Sequence, residues 1–310
     1  MAAVVAVSTN PAIDRIALAD GAAAGGLVRA RELLVTPGGK AAHVATVAAA
    51  LGTDARLVAP AGGDLLGDLL ASAGVPATLV PVAEPTRGTY TVVDPTDGDV
   101  LEVHEPSPAL SADECDALVA AASEAAAGAA VVVIAGSLPA GARPDLHARL
   151  LRACGAAFTV LDTSSSPALE AGLAAAPDLV KPNVTEAAAL LAANAPADDA
   201  ALAATAFALR DRGAGAVWLS AGARGSVLAA GDDAWHLAGP HPAAVVNAVG
   251  CGDALVGGLA AGLARGLSLL DAATLGTAAA TDKLRHLHSG RVDGEAVERL
   301  TAAVTRRPLG

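Results

Sequence analysis

The sequence predicts an α/β fold built on a mainly parallel β-sheet, and three observations lead to that prediction. Short runs rich in β-branched residues alternate with longer runs rich in alanine and leucine, which is typical of strands alternating with helices. The continuous apolar run at Val131–Ala135 is typical of a strand that is buried on both faces. With 310 residues, of which 53% are hydrophobic, the chain can bury a core without disulfide bonds.

The individual elements follow from this alternation. We predict six strands in the main sheet, over Val4–Ser8, Arg56–Ala59, Val131–Ala135, Thr159–Asp162, Leu179–Lys181 and Ala216–Ser220. We predict eight helices, over Lys40–Leu51, Asp64–Ala73, Ala112–Ala127, Pro144–Ala153, Thr185–Ala192, Asp198–Asp211, Gly252–Arg265 and Leu269–His286.

Two pairs of strands without an intervening helix interrupt the alternation. Ile13–Leu18 is followed by Val28–Val35, and Thr89–Val93 is followed by Val100–His104. The second pair is predicted to be a hairpin, with its turn formed by Pro95, Asp97 and Gly98. We expect the two pairs to form a small antiparallel sheet that serves as a lid or an interface. The prediction is therefore a single domain over 1–310, with a β lid formed by about 13–35 and 87–105.

Composition and charge argue against several classes of protein. The formal net charge is −12 and only 2% of the residues are aromatic, which disfavours nucleic-acid binding by phosphate neutralisation or base stacking. The mean hydropathy of +0.50 comes from alanine, and no run of about 20 strongly apolar residues indicates a membrane span. The first residues lack a basic region before their apolar run, so we expect a cytoplasmic protein. Three widely spaced cysteines, Cys115, Cys154 and Cys251, indicate neither a disulfide framework nor a zinc site.

An anion-binding motif is the sharpest chemical signal in the chain. In the segment 245–253 an apolar run passes through Gly250 and Gly252 directly into a predicted helix. Backbone N–H groups at that helix N-terminus would be open to an anion, and Asp253 lies in the first turn beside them. A phosphate held by N–H groups next to a proton-accepting carboxylate suits phosphoryl transfer. Taken alone, however, the motif is explained better by a tight turn followed by an ordinary first-turn carboxylate.

Polar residues after predicted strands are further candidates for ligand contacts. Ser137 follows the buried strand, and Asn10 and Asp14 follow the first strand, where open α/β sheets bind their ligands. The segment Pro37–Lys40 precedes a helix and could position a lysine and N–H groups around a ligand, although it lacks the spacing of a P-loop.

A possible magnesium pair starts another helix. Asn183 and Glu186 are three residues apart and could hold a hydrated Mg²⁺ from one helix face. The structural alternative is strong, since the same spacing is that of a capping box. No metal-ligand spacing relates the histidines His43, His104, His236 and His241.

Taken together in chain order, nine segments resemble the PfkB, or ribokinase-like, family of carbohydrate kinases. They are Ser8–Asp14, Pro37–Val44, Glu84–Arg87, Glu105–Pro106, Gly136–Pro139, Leu161–Thr163, Lys181–Glu186, Ser220–Gly225 and Asn247–Asp253. The first of them resembles the phosphosugar branch, which includes 1-phosphofructokinase and tagatose-6-phosphate kinase. The resemblance implies a three-layer α/β/α ribokinase-like fold with a small β lid, and it favours a catalytic role for Asp253, Gly250 and Gly252.

The resemblance also implies roles for individual residues. Asp253 would be the general base, and the N–H groups of Gly250, Cys251 and Gly252 would form the anion hole for the transferred phosphoryl group. ATP would be bound by Lys181, Asn183, Ser220, Gly222 and Gly225, and Mg²⁺ would be organised by Asn183 and Glu186, largely through water. The sugar would be held by Asp14, Gly38, Gly39, Lys40 and His43. The phosphate already on the substrate would be bound by Arg87, Ser137, Lys40 and Arg29.

The chain departs from the family pattern at six positions, of which Ala41 and Ala42 replace the glycine and isoleucine that usually follow the lysine of the first signature. His43 stands where the family has a sugar-facing asparagine, which replaces an amide by a ring that can become charged near neutral pH. Thr89 and His104 replace asparagines that are common near the lid, and Cys251 replaces an alanine of the second signature. A cysteine at that position should leave the backbone anion hole intact.

The resulting expectation is an ATP- and Mg²⁺-dependent kinase that converts fructose 1-phosphate to fructose 1,6-bisphosphate. Tagatose 6-phosphate, fructose 6-phosphate and an unphosphorylated sugar or nucleoside remain alternative substrates. A catalytically silent sugar-phosphate-binding protein is the alternative from another class. A nicotinamide dehydrogenase is weaker, because Leu255 stands where the third glycine of the dinucleotide motif belongs. We expect a homodimer that pairs through its lids, since an exposed strand edge is otherwise a liability, and neither nucleic acid nor membrane as a partner.

Overall fold

The predicted three-layer α/β/α architecture is confirmed by a computed structural model, which describes residues 3–21, 27–96 and 100–309. Its strands are β1 (Val4–Ser8), β2 (Ala12–Leu18), β3 (Glu32–Gly38), β4 (Ala55–Ala61), β5 (Ala77–Pro81), β6 (Gly88–Val93), β7 (Val100–His104), β8 (Val131–Ala135), β9 (Phe158–Asp162), β10 (Leu179–Val180), β11 (Ala216–Ser220), β12 (Ser226–Ala230), β13 (Asp233–Ala238) and β14 (Thr305–Leu309). Its helices are α1 (Lys40–Ala50), α2 (Leu65–Ser72), α3 (Ala112–Ala126), α4 (Leu146–Ala153), α5 (Ser166–Leu173), α6 (Val184–Leu191), α7 (Asp199–Arg210), α8 (Cys251–Ala264), α9 (Leu269–Lys283) and α10 (Gly294–Thr301).

The large sheet has the strand order β14-β13-β12-β11-β10-β9-β8-β1-β4-β5. Its strands are parallel from β5 to β11, and β12, β13 and β14 then continue it in antiparallel pairing. The six strands predicted for this sheet are all present. The strands β5 and β12–β14 and the helices α5 and α10 were not predicted. The sequence of β14, TRRPL, is polar with a proline, which is tolerated because β14 is an edge strand.

Alternate residues of the central strands build two separate hydrophobic cores. Val4 and Ala6 of β1 face one core, which they share with α1, α2, α8, α9 and α10. Val5 and Val7 face the other core, which includes residues of α3 to α7. All four side chains are fully buried, so β1 has the double-sided burial that is typical of parallel sheets.

The small sheet has the strand order β3-β2-β6-β7. Its two hairpins are antiparallel as predicted, but β2 and β6 run parallel to each other, so the expectation of a purely antiparallel sheet is wrong. The parallel pairing follows from the chain path, because the chain passes through α1, β4, α2 and β5 between β3 and β6 and enters β6 in the same direction as β2. The turn residues Asp97 and Gly98 lie outside the described residues.

The chain's direction around β1 creates the place where a ligand can bind. The chain continues from β1 to β4 on one side and reaches β8 on the other, so the sheet order reverses between β1 and β8. Open α/β sheets bind ligands in the crevice that such a reversal leaves beyond the carboxyl ends of the strands. Among the described residues, no helix combines the length and the apolar character that crossing a bilayer requires.

Candidate active site

Five polar residues gather at the carboxyl edge of the large sheet because each comes at or just after the end of a parallel strand. Asn10 follows β1, Ser137 follows β8 and Asp162 ends β9, while Lys181 follows β10 and Ser220 ends β11. The parallel register aligns these ends at one edge, so residues that are far apart in sequence become neighbours.

The N-terminus of α8 opens toward this edge. Gly250 precedes the helix with φ 89°, and a β-carbon there would overlap the carbonyl oxygen of Ser289, so both the conformation and the space require glycine. Within the described residues, the N–H groups of Gly250 and Gly252 have no acceptor, whereas that of Cys251 donates to Ala248 O at 3.3 Å. The helix N-terminus therefore offers two free donors and one weakly engaged donor to an anion.

Asp253, in the first turn of α8, is joined to Asp14 of β2 through the ring of His43. His43 Nδ1 lies 2.7 Å from Asp253 Oδ2, and His43 Nε2 lies 2.8 Å from Asp14 Oδ2. Since ionised carboxylates only accept hydrogen bonds, both ring nitrogens must carry protons, and His43 is an imidazolium. Thr89 donates to the second oxygen of Asp14 at 2.6 Å, whereas Asp253 Oδ1 has no donor among the described residues.

The charges of Asp14, His43 and Asp253, which we call the triad, stabilise one another in a buried environment. Burial disfavours the charged ring of His43, but the hydrogen bonds and charges of Asp14 and Asp253 outweigh it and raise its pKa to about 10. Burial also opposes the ionisation of Asp253, yet the hydrogen bond from His43 and the charge of Lys40 hold its pKa below the usual value. The expectation that His43 would titrate near neutral pH is therefore wrong, because two carboxylates keep the ring charged.

A second charged cluster lies next to the triad. Lys40, at the first position of α1, donates to Asp162 Oδ1 at 3.0 Å, and Lys181 Nζ lies 3.5 Å from Asp162 Oδ2. The carboxylate of Asp162 is fully buried, so its two lysines compensate its charge. A β-carbon at Gly252 would lie 3.5 Å from Lys181 Nζ, which places that ammonium group beside the free N–H groups of α8.

Arg87 and Ser137, two residues predicted to bind the substrate's phosphate, are linked through Asn10. Arg87 Nε donates to Asn10 Oδ1 at 3.0 Å, and Asn10 Nδ2 donates to Ser137 Oγ at 2.8 Å. Arg29 is exposed and contacts none of these three within the described part of the chain. The structure thus brings Arg87 and Ser137 together but leaves Arg29 apart.

The predicted magnesium pair forms a capping box in this structure. Asn183 Oδ1 accepts hydrogen bonds from the N–H groups of Thr185 and Glu186, and Glu186 Oε2 accepts one from the N–H of Asn183. The structural alternative of the sequence analysis is therefore present, with Glu186 Oε1 left without a donor among the described residues. No group of three or more His, Cys, Asp or Glu side chains in the described ranges is arranged to hold a metal ion.

The predicted nucleotide loop lies between β11 and β12. Ser220 pairs with Asn183 in an isolated parallel bridge, which connects this loop to the start of α6. Gly222 and Gly225 have φ values of 61° and 83°, and a β-carbon at Gly225 would overlap the carbonyl oxygen of Leu237. The glycines are thus required by the backbone itself.

Around the predicted sugar site, small residues leave room for charged ones. A β-carbon at Gly38 would overlap Asp14 Oδ1, and Gly39 caps α1 with φ 87° directly before Lys40. Gly38 therefore lies against Asp14, whereas Gly39 lies against the backbone of 10–12 and leads into Lys40, whose charge acts on Asp253.

Sequence reasoning assigned no site role to Asp162 or Thr89, although each orders a predicted site residue, and it named Asn10 as a candidate ligand contact without its link to Arg87. The position of Asp162 at the end of a predicted strand was a usable signal, since that edge of the sheet carries the ligand contacts. The contact between Thr89 and Asp14 had no sequence signal, because it depends on the parallel pairing of β2 with β6.

Comparison with known proteins places these observations in a family. The model of the pfkB family carbohydrate kinases matches residues 1–289. The chain is 33% identical over 312 residues to 1-phosphofructokinase from Rhodobacter capsulatus, covering 98% of this chain and 97% of that protein. It is 32% identical over 302 residues to ATP-dependent 6-phosphofructokinase isozyme 2 from Mycobacterium tuberculosis strain H37Rv, covering 96% of this chain and 88% of that protein.

A solved structure gives the same result for the fold. The tetrameric inhibited form of phosphofructokinase-2 from Escherichia coli superposes with a TM-score of 0.87 at 28% sequence identity, covering 97% of this chain and 99% of that chain.

The triad predicts how stability depends on pH. The pKa of His43 is raised to about 10 in the folded state, against about 6.5 in an unfolded chain, so the native protein retains a proton that the unfolded chain loses between these values. The stabilisation from His43 is fully present below pH of about 6.5 and declines as pH rises toward 10. The free energy of unfolding in urea should therefore be measured for the wild type and His43→Asn at several pH values. The difference between the two proteins should shrink as the pH rises through this window.

His104→Asn is the matched control, because His104 is exposed on β7 and pairs only loosely with Glu102 at 3.5 Å. Its stability difference from the wild type should not follow the pH trend of His43→Asn. A constant difference between the wild type and His43→Asn over the window would contradict the charged ring.

Proposed function

The chain belongs to the pfkB family of carbohydrate kinases, and we propose that it transfers the γ-phosphoryl group of ATP to a hydroxyl group of a ketohexose phosphate. One observation carries the proposal: Asp253 lies in the first turn of a helix at whose start the N–H groups of Gly250 and Gly252 have no acceptor among the described residues, with Lys181 beside them and Lys40 near Asp253. This arrangement can hold a transferring phosphoryl group and an acceptor hydroxyl at the same time.

In the proposed mechanism Asp253 accepts the proton of the acceptor hydroxyl. His43 occupies Oδ2 of Asp253, so Oδ1 is the oxygen available to the substrate. The lowered pKa makes Asp253 a weak base, which suffices because phosphoryl transfer passes through a loose transition state that demands little of the attacking oxygen. The contribution of this carboxylate is therefore mainly to orient the hydroxyl for in-line attack.

The anion hole and the lysines would stabilise the charge that is transferred. The N–H groups of Gly250 and Gly252 are directed by the backbone and need no rearrangement when negative charge develops. Lys181 lies beside them, and Lys40 adds positive charge near Asp253. Together they would neutralise the charge of the phosphoryl oxygens.

Mg²⁺ is part of the proposal as the ion that accompanies ATP. When bound, Mg²⁺ would supply positive charge that neutralises the phosphates of ATP, and Glu186 would help to hold it. Oxygen ligands are what Mg²⁺ prefers, and Glu186 has one carboxylate oxygen without a hydrogen-bond donor among the described residues. Since Asn183 Oδ1 already accepts two backbone hydrogen bonds, we propose that Glu186 acts through water and Asn183 acts mainly by holding α6 in place.

The substrate's existing phosphate is assigned to the cluster of Arg87, Asn10 and Ser137. A guanidinium group presents a planar set of donors that matches phosphate oxygens, and Asn10 holds Nε of Arg87 in a fixed orientation. A chain with a net charge of −12 requires such a local cation to attract an anionic sugar. Fructose 1-phosphate is the proposed substrate, by similarity to the Rhodobacter relative, and fructose 6-phosphate is the second candidate, by similarity to the Mycobacterium relative.

We further propose that the small sheet is a lid and that two copies of the chain pair through it. The inner face of this sheet carries Asp14 and Thr89. The opposite face exposes Leu33 and Leu101, each more than 60% accessible, together with Val103. An apolar sheet face of this kind is stabilised when another surface covers it. A second copy is the proposed cover, supported by the tetrameric structure of the Escherichia coli relative.

The proposed location is the cytoplasm, where ATP is supplied. The three free cysteines, two of them buried, fit a reducing compartment.

A substrate panel tests the proposed reaction. ADP release from Mg·ATP should be measured with fructose 1-phosphate, fructose 6-phosphate, tagatose 6-phosphate and free hexoses. We expect turnover of one ketohexose phosphate, and a decrease in kcat of about 10²- to 10⁴-fold in Asp253→Asn, because the amide neither orients the hydroxyl as a carboxylate does nor accepts its proton. Activity on free sugars alone would move the protein to kinases of unphosphorylated sugars. Ligand-induced shifts in melting temperature without any turnover would support a silent binding protein.

The phosphate site gives a separate prediction. Arg87→Ala should raise KM for the phosphorylated sugar by about 10- to 100-fold, the effect of losing charged hydrogen bonds to a phosphate, with a smaller effect on KM for ATP. Arg29→Ala is the matched control, since Arg29 is exposed and apart from the cluster, and its KM should stay near the wild-type value. Equal KM values for Arg87→Ala and the wild type would overturn the phosphate assignment.

The lid interface predicts a change in mass. Light scattering should give the wild type twice the mass of the 29.9 kDa chain, or a higher even multiple, whereas Leu101→Lys should shift it toward the monomer by placing a charge in the apolar contact. Leu65→Lys is the control, because Leu65 is 45% exposed on α2 of the main layer. A wild-type monomer, or equal dissociation by both variants, would contradict pairing through the lid.

A further inference from the structure

The lysine at the end of α9, Lys283, is fully buried without a carboxylate partner in the described part of the chain. Its Nζ donates to two backbone carbonyls, those of Asn247 at 2.7 Å and His286 at 3.1 Å. Every other buried cation discussed above faces at least one carboxylate. Burying a charge on neutral partners alone is costly, so a neutral donor would have held the same two carbonyls at a lower cost.

The carbonyls that Lys283 binds belong to two segments that meet behind the anion hole. Asn247 is 1% exposed, and its side chain donates to Leu287 O at 2.8 Å and accepts from Val249 N at 2.9 Å. Gly250 packs so closely on Ser289 that no β-carbon would fit. The ammonium group therefore lies between the loop that enters α8 and the turn that leaves α9.

The charge on Lys283 also interacts with the reacting groups. Burial lowers the pKa of Lys283 to about 8, and the nearby Cys251 and Asp253 oppose that decrease. The ammonium form is thus retained at neutral pH, within electrostatic reach of the first turn of α8. A positive charge at this position would stabilise an anion bound at the free N–H groups.

We propose that Lys283 is a tethered monovalent cation, whose ammonium group holds the 247–250 loop in place and supports negative charge at the Gly250 and Gly252 N–H groups. An ammonium ion resembles K⁺ in charge and size, and backbone carbonyl oxygens bind either cation. The ammonium group of Lys283 therefore occupies the position in which these two carbonyls could bind a monovalent cation from solution. Lys283 is a positioning residue, since it acts on the phosphoryl group through the loop, and this role rests on the proposed kinase function.

Two variants separate the charge from the packing. Lys283→Ala removes the charge and leaves space for a small cation, whereas Lys283→Met removes the charge and fills most of the space. We expect kcat to fall by about 10- to 100-fold in both, less than the loss of a direct anion-hole donor, with smaller changes in KM. K⁺ or NH₄⁺ should restore most of the lost kcat in Lys283→Ala but not in Lys283→Met, when compared with tetramethylammonium at constant ionic strength.

A binding measurement keeps the inference separate from the kinase proposal. The melting temperature of Lys283→Ala should rise with K⁺ over tetramethylammonium, because an ion that binds only the folded state stabilises it, and that of Lys283→Met should not. This readout needs no turnover, so it decides on the cation site even if no sugar is phosphorylated.

The remaining test uses the wild type, so it does not depend on whether a variant folds. Its melting temperature, and its activity where turnover is found, should be indifferent to the choice of K⁺, NH₄⁺ or tetramethylammonium. Stimulation of the wild type by K⁺ would overturn the proposal, and so would equal losses in the two variants that no cation restores.

Discussion

The buried imidazolium of His43 connects the three parts of the molecule on which the site depends. Asp14 belongs to the small sheet, His43 to α1 and Asp253 to α8, so the two hydrogen bonds of one ring hold the sheet against both helices. Breaking a buried ion pair leaves a charge without compensation and costs about 3–5 kcal/mol. The position of the small sheet over the site is therefore coupled to the protonation of a single side chain.

The same coupling limits the chemistry that Asp253 can perform. A carboxylate that shares a proton donor with Asp14 is a weaker base than a free buried carboxylate, whose pKa burial alone would raise. The site compensates with positive charge rather than with basicity, through Lys40, Lys181 and Lys283, and with backbone N–H groups that are oriented in advance. In a protein of net charge −12, this concentration of cations at one edge of the sheet is what makes a phosphate site electrostatically possible.

Much of the fold could be predicted from the sequence because its signals are local. The alternation of strands and helices, the run at Val131–Ala135 and the glycine before Asp253 each act within a few residues of the chain. The strand β14 escaped prediction because it is polar and is stabilised by pairing with residues distant in sequence, as Pro308 with Trp235, whereas β12 and β13 are short strands joined in a local hairpin. The parallel pairing of β2 with β6 escaped for the same reason, since strand direction within a sheet is decided by the whole chain path.

The sequence by itself determined the family, the reaction class and the residues at the strand ends. It could do so because the glycines of tight turns and the polar residues after buried strands form motifs that follow one another in a fixed order along the chain. Only the tertiary structure decided the state of those residues. It made His43 a bridge that is charged at neutral pH, gave Asp162 its two lysines and buried Lys283 behind the anion hole. Protonation and burial depend on groups that come together from more than 200 residues apart, as His43 and Asp253 do, and no local pattern records that distance.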